Sequence, residues 1–168
     1  MELKPMPTCK QKIHASQDQI FNYLSDLQNI VDLFKDKYSI TTVKDLGSAC
    51  YGKKYRYEVE NKHSTSLRKQ TFTVEITEYE PFESMAWSVV FDVKKQVNRN
   101  TTYIPTTVII NCKLKPKNDY TLALLDVDFQ MQAAWWVKFL FKAMTRMFQS
   151  KICHVFVDIR KDIEFRST

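Results

Sequence analysis

Tyr55 and Tyr57 stand two residues apart in a segment, Gly52 to Glu60, whose pattern predicts a β-strand, so both phenols fall on one face. A phenol buries its ring while its hydroxyl seeks a partner, which suits it to orienting a ligand or an enolisable substrate. Gln11, on an inward position of the first predicted strand, is a third polar candidate. A backbone carbonyl or rim water would satisfy any of the three equally well. The other reactive groups do not assemble. His14, His63 and His154 fall on an outward strand face, in a polar segment and late on a helix, with no H-E-x-x-H or H-x-x-x-H spacing. Glu58, Glu75, Asp126 and Asp128 alternate outward, where a general acid or base cannot reach an enclosed substrate. Neither glycine, Gly47 or Gly52, makes a G-x-S-x-G elbow, a G-x-G-x-x-G turn or a P-loop. No catalytic residue, metal ligand or cofactor is assigned.

The chain has 168 residues, 44% of them hydrophobic, enough for one domain with a substantial core. Its net charge of +6 is spread in short pairs, Lys53-Lys54, Lys94-Lys95 and Arg160-Lys161. A nucleic-acid binder concentrates its basic residues more than that, so no nucleic acid is expected as a partner. Cys9, Cys50, Cys112 and Cys153 make no C-x-x-C and read as separate buried thiols in a reducing compartment. Met1 to Pro7 lack an apolar signal core, and no apolar run reaches membrane-spanning length. A soluble cytoplasmic protein is expected.

The elements follow from periodicity. Cys9 to Ala15 alternates as a half-buried strand. Ser16 and Gln19 form a capping box for a helix carrying Ile20, Phe21, Leu24 and Leu27. Asp26 caps a second short helix carrying Ile30, Val31, Leu33 and Phe34. Strands are expected over Tyr38–Leu46, Gly52–Glu60, Gln70–Tyr79, Met85–Val93, Thr106–Leu114 and Tyr120–Phe129, with a covering loop over Lys94–Pro105. Breaks at Gly47-Ser48, Pro81, Asn98 to Asn100 and Pro116 to Asp119 carry turn chemistry. Ala133 to Phe165 holds no Gly or Pro. Val137, Phe141, Met144, Phe148, Ile152, Val155, Ile159 and Ile163 make one stripe of a helix about 50 Å long.

This order of a strand, two short helices, six strands and one long helix resembles the helix-grip fold of the START-like (SRPBCC) superfamily, which includes the birch-pollen allergens and the polyketide cyclases and dehydrases. Ala15-Ser16-Gln17-Asp18-Gln19-Ile20-Phe21 is similar to the family's entry to its first helix, and Leu24-Ser25-Asp26 to the opening of its second. Glu78-Tyr79-Glu80-Pro81-Phe82, Pro116 to Leu122 and Ile159 to Glu164 resemble the family's middle hairpin, last-strand entry and closing helix. Asp32-Leu33-Phe34-Lys35 stands where the family has Trp-Pro, and Asn118-Asp119 where it has glycine. The resemblance implies an α+β architecture. A curved antiparallel seven-stranded sheet wraps the long helix and leaves an elongated cavity. It also implies a START-like domain over residues 1–168 that binds a lipid, quinone or polyketide-like molecule, or less commonly catalyses cyclisation or dehydration.

The inward strand faces then supply walls: Tyr55, Tyr57, Phe72, Val74, Ile76, Trp87, Val89, Phe91, Val108, Ile110, Leu125 and Val127. The front half of the long helix adds a second apolar sector, Trp136, Leu140, Ala143 and Met147, which Lys151, His154 and Lys161 replace further on. That wider arc either roofs a pocket or is simply more deeply buried. Trp135 and Phe139 share a side with Lys138, Lys142 and Arg146 and offer a membrane or protein contact. Binding of a small hydrophobic ligand is the expected function. A cyclase or dehydratase, or an interaction module with a filled core, are the alternatives.

Overall fold

The computed structural model describes the backbone of residues 9–38, 40–45, 54–60, 69–97, 100–131 and 135–167, and the side chains of 9–35, 71–92, 105–130 and 149–167. Its elements are β1 (Cys9–Ile13), α1 (Gln17–Ser25), α2 (Leu27–Tyr38), β2 (Ile40–Asp45), β3 (Lys54–Glu60), β4 (Lys69–Glu80), β5 (Ser84–Val97), β6 (Asn100–Pro116), β7 (Thr121–Met131) and α3 (Trp135–Arg166). The strands pair antiparallel in the order β1-β7-β6-β5-β4-β3-β2. The α+β class is as the sequence reading expected.

Local chemistry starts the helices. The Ser16 N–H donates to Gln19 Oε1 at 3.0 Å, and the first α1 bond runs from Ile20 N to Ser16 O. Asp26 Oδ1 accepts from Gln28 N at 3.1 Å and so caps α2. Val155-Phe156-Val157, despite its strand propensity, is helical within α3, and Phe156, Ile159 and Ile163 bury against the core. The helical stripe outweighs the local preference.

Register sets the inward row of the sheet. Trp87 lies between Ile76 and Ile110, Val89 between Val74 and Val108, and Phe91 between Phe72 and Thr106. A β-bulge interrupts β4 between Ile76 and Glu78, so the pairing steps from Ile76–Trp87 to Glu78–Ala86. Two outward residues, Thr77 and Glu78, follow Ile76 before Tyr79 returns to the core against Phe21, with ring centroids 4.8 Å apart. The turn after β4 closes with Glu83 N donating to Glu80 O, and Phe82 sits at φ 64.

Two expectations need correction. Lys94–Pro105 is not a loop: Val93 to Val97 continues β5 and Asn100 begins β6, paired from Val97–Asn100 through Asp92–Pro105. Pro105 itself sits within the ladder, opposite Asp92 of β5. Cys9 and Cys153 are not separate thiols but form a disulfide joining β1 to α3, with their Cα atoms 6.0 Å apart. Cys112 is buried and free, while Cys50 lies outside the described residues.

Candidate functional site

A cavity of about 280 Å³ lies where the sheet, α1, α2 and the second half of α3 converge. Phe72 and Val74 from β4, Trp87 and Val89 from β5 and Ile110 from β6 form one wall. Leu24 ends α1 into it, and Leu27, Ile30 and Val31 line it from α2. Ile152, Val155, Phe156 and Ile159 close it from α3. Every described lining side chain is apolar or aromatic. The alternation of the strands and the i, i+3, i+4, i+7 spacing on α3 place them there.

Of the sequence-predicted site residues, Phe72, Val74, Trp87, Val89 and Ile110 meet at this cavity. Phe91 is half-buried with its ring 5.4 Å from that of Phe72, Val108 is buried beside Val89 in register, and Leu125 is fully buried in the core. Tyr55 pairs with Val74 and Tyr57 with Phe72 in the β3–β4 register, so the backbone puts both tyrosines beside lining positions. The side chains of Tyr55, Tyr57, Trp135, Trp136, Phe139, Leu140, Ala143 and Met147 lie outside the described residues. The sequence reading assigned Ile30 and Val31 to the core. Their apolar stripe was visible, but not the surface it faces. Phe156 was missed because it falls one position off the stripe that the sequence reading traced through Ile152, Val155 and Ile159.

The polar groups of the site are few. Trp87 is 7% exposed and lines the cavity, yet its indole Nε1–H is buried with no hydrogen-bond acceptor. Gln11 is half-buried on β1, with Nε2 3.9 Å from Cys9 Sγ, and is not part of the lining. Burial pushes the Cys112 thiol up to about 12, so it stays protonated and is a poor nucleophile. His14, His154, Asp126 and Asp128 are exposed, and Glu75 is half-buried. Among the described residues no cluster of histidine, cysteine or carboxylate side chains could hold a metal ion.

A second, more open depression of about 460 Å³ lies between Leu33 and Phe34 of α2 and Asp158, Lys161, Asp162 and Phe165 of α3. Its charged rim distinguishes it from the apolar cavity. No helix among the described residues is long and apolar enough to cross a membrane.

No protein-family model matches the chain, and no curated protein matches its sequence. Solved structures do match its fold. Ara h 8.0201 superposes with a TM-score of 0.63 at 8% identity, over 94% of this chain and 95% of that one. A conserved protein from Geobacillus kaustophilus gives 0.62 at 13% identity over 93% of both chains. Protein Ms6760 from Mycobacterium smegmatis gives 0.59 at 13% identity, over 94% of this chain and 87% of that one. Ara h 8.0201 is Bet v 1-like, which is consistent with a helix-grip fold. At these identities the likeness is one of fold alone.

Proposed function

We propose that the chain is a single START-like domain whose seven-stranded sheet grips α3 and holds a small apolar molecule beneath it. The observation that carries this reading is the cavity of about 280 Å³, whose described lining residues are all apolar or aromatic. Its size sits at the lower end of small-molecule sites, about 300 Å³, and favours a compact guest of two or three fused rings or a short acyl chain. Burying about 200 Å² of apolar ligand surface would contribute on the order of 5 kcal/mol before association costs. Tyr55 and Tyr57 on β3 and Trp136, Leu140 and Met147 on α3 are further candidate contacts from the sequence, their side chains lying outside the described residues. Binding is favoured over cyclase or dehydratase chemistry because the described lining residues offer no group that titrates near neutral pH.

Native mass spectrometry of freshly purified protein, with titration of N-phenyl-1-naphthylamine, tests the proposal. A copurifying apolar molecule or saturable micromolar probe binding supports it. Protein that is ligand-free and leaves the probe dark refutes it.

A further inference from the structure

We propose that the outward face of the sheet at its β1–β7–β6 end is a docking surface for an anionic lipid bilayer. The inference is independent of the cavity and uses none of its residues. Along the chain the basic residues stand apart or in short pairs, and the strand register assembles them. Lys10 on β1, Leu124 on β7 and Lys113 on β6 lie side by side in one row. Lys12, Leu122 and Lys115 make the next. Their neighbours along the strands, Ile13, Leu114, Ala123 and Leu125, are buried, so alternation turns both rows outward. All four lysines are exposed and the two leucines between them are half-buried. With strands about 4.8 Å apart, the four lysine Cα atoms mark a grid of roughly 7 by 10 Å. Lys117, exposed just past the end of β6, adds a fifth cation.

Among the described residues no ion pair joins these lysines to a carboxylate. The nearby acids sit at the margins. Asp126 is the next outward residue of β7 and Asp119 lies between β6 and β7. Glu164 accepts from His14 N and stands 4.0 Å from Arg160 Nε, while Glu80 accepts from Ser84 Oγ beyond Lys113. The grid therefore carries the mutual repulsion of unpaired ammonium groups, which a negative surface relieves. A bilayer suits it better than a nucleic acid. The patch holds no arginine to fork onto phosphates, and it is as broad as it is long, whereas a duplex presents a line of charge. Leu122 and Leu124 set apolar surface among the cations, which matches the boundary between headgroups and acyl chains.

Cosedimentation with phosphatidylcholine vesicles, with and without about 30% phosphatidylserine, tests the proposal. Wild-type protein is expected to bind only the anionic vesicles and to dissociate near about 1 M salt, where charges are screened within about 3 Å. A lysine beside an anionic membrane is worth about fivefold in binding. Lys12→Gln with Lys113→Gln and Lys115→Gln is therefore expected to weaken binding at least about tenfold. Lys35→Gln with Lys151→Gln and Lys161→Gln removes equal charge from exposed positions elsewhere and is expected to cost less than about threefold. Acetylation of wild-type protein decides the matter if the first variant fails to fold. Anionic vesicles are expected to protect Lys10, Lys12, Lys113 and Lys115 but not Lys151 or Lys161. No binding to anionic vesicles, equal loss in both triple variants, or equal protection of all these lysines overturns the proposal. Tighter binding of polyglutamate or of a DNA duplex than of the vesicles, lost in the first variant, also overturns it by giving the patch a different partner.

Discussion

The Tyr23 hydroxyl on α1 donates to Asp162 Oδ2 on α3 at 2.5 Å, tying the end of the long helix to the first one. The same carboxylate oxygen is 2.9 Å from Arg166 Nε, whose Nη1 donates to Asn29 Oδ1 on α2 at 3.1 Å. Asn29 Nδ2 in turn donates to Tyr23 O, which closes a circuit through all three helices. All three helices also contribute residues to the cavity lining. Tyr23→Phe is expected to lower stability by about 1.5 kcal/mol, the usual worth of a hydrogen bond to a charged acceptor. In a chain of this size that is about 5 °C in Tm. Urea unfolding of Tyr23→Phe, Asp162→Asn and the double variant measures the coupling. Strict additivity would refute the link.

The disulfide between Cys9 and Cys153 anchors α3 to the edge strand at a residue adjacent to Ile152, part of the cavity wall. It closes a separation of 144 residues, and loop-closure entropy gives such a cross-link about 3–5 kcal/mol. Peptide mapping without reductant is expected to recover the two cysteines in one linked species. Cys9→Ser with Cys153→Ser is expected to lower the urea midpoint accordingly. Unlinked peptides, or a double variant as stable as the parent, would contradict the bond.

Much of this architecture is written locally, and the exceptions share one cause. Ser16 with Gln19, Asp26, and the turns at Pro81 and Pro116 act within a few residues, so chain order alone reveals them. The β4, β5 and β6 rows of the wall were legible because alternation tells one strand face from the other. The bulge at Thr77 was not, since one inserted residue leaves no mark in a run of Thr, Glu and Ile. Lys94-Lys95 and Pro105 looked like loop residues because their pairing partner lies across a hairpin. Which surface α2 turns to the cavity, which cysteine meets Cys9, and whether Trp87 finds an acceptor are decided by packing between distant segments. Periodicity carries no record of those.

Phe82 holds φ 64 directly after Pro81, in a turn closed by Glu83 N donating to Glu80 O. That is the pattern of a type II turn, whose third position ordinarily calls for glycine or asparagine. The Phe82 ring compensates by meeting Phe21 edge-on at 5.5 Å. Phe82→Ala loses the ring and keeps the steric penalty, while Phe82→Gly loses both. Phe82→Gly is therefore expected to be more stable than Phe82→Ala by about 1 kcal/mol, by chemical denaturation. The reverse order would show that the turn imposes no such demand.

Burial holds both Cys112 and Tyr23 in their neutral forms, with Asp162 adding to the effect on Tyr23. In the unfolded chain these acids ionise near their ordinary values of 9.0 and 10.0, whereas in the fold Cys112 waits until about 12. Between those values the unfolded state binds fewer protons, so rising pH draws the equilibrium toward unfolding. Their contribution is flat below pH 9 and falls above it. Tm is expected to decline from pH 9 to 11 more steeply in the parent than in Cys112→Ala. Iodoacetamide at pH 8 should likewise leave Cys112 unmodified until denaturant is added. Alkylation of Cys112 in the native state at a free thiol's rate would mean that it is not enclosed.

Val89 and Val90 are consecutive on β5, yet Val89 lines the cavity and Val90 is 40% exposed on the other face. The same substitution at both sites therefore separates filling of the cavity from a general effect on the strand. Val89→Phe places a ring into a space of about 280 Å³ that a guest would need. It is expected to weaken N-phenyl-1-naphthylamine binding at least tenfold. Any strain from the added bulk should stay within the roughly 1–3 kcal/mol of ordinary overpacking. Val90→Phe adds the same bulk facing solvent and should leave the probe's affinity within twofold of the parent. Equal loss in both variants would trace the effect to the strand rather than the cavity. Undiminished binding in Val89→Phe would place the probe somewhere else on the protein.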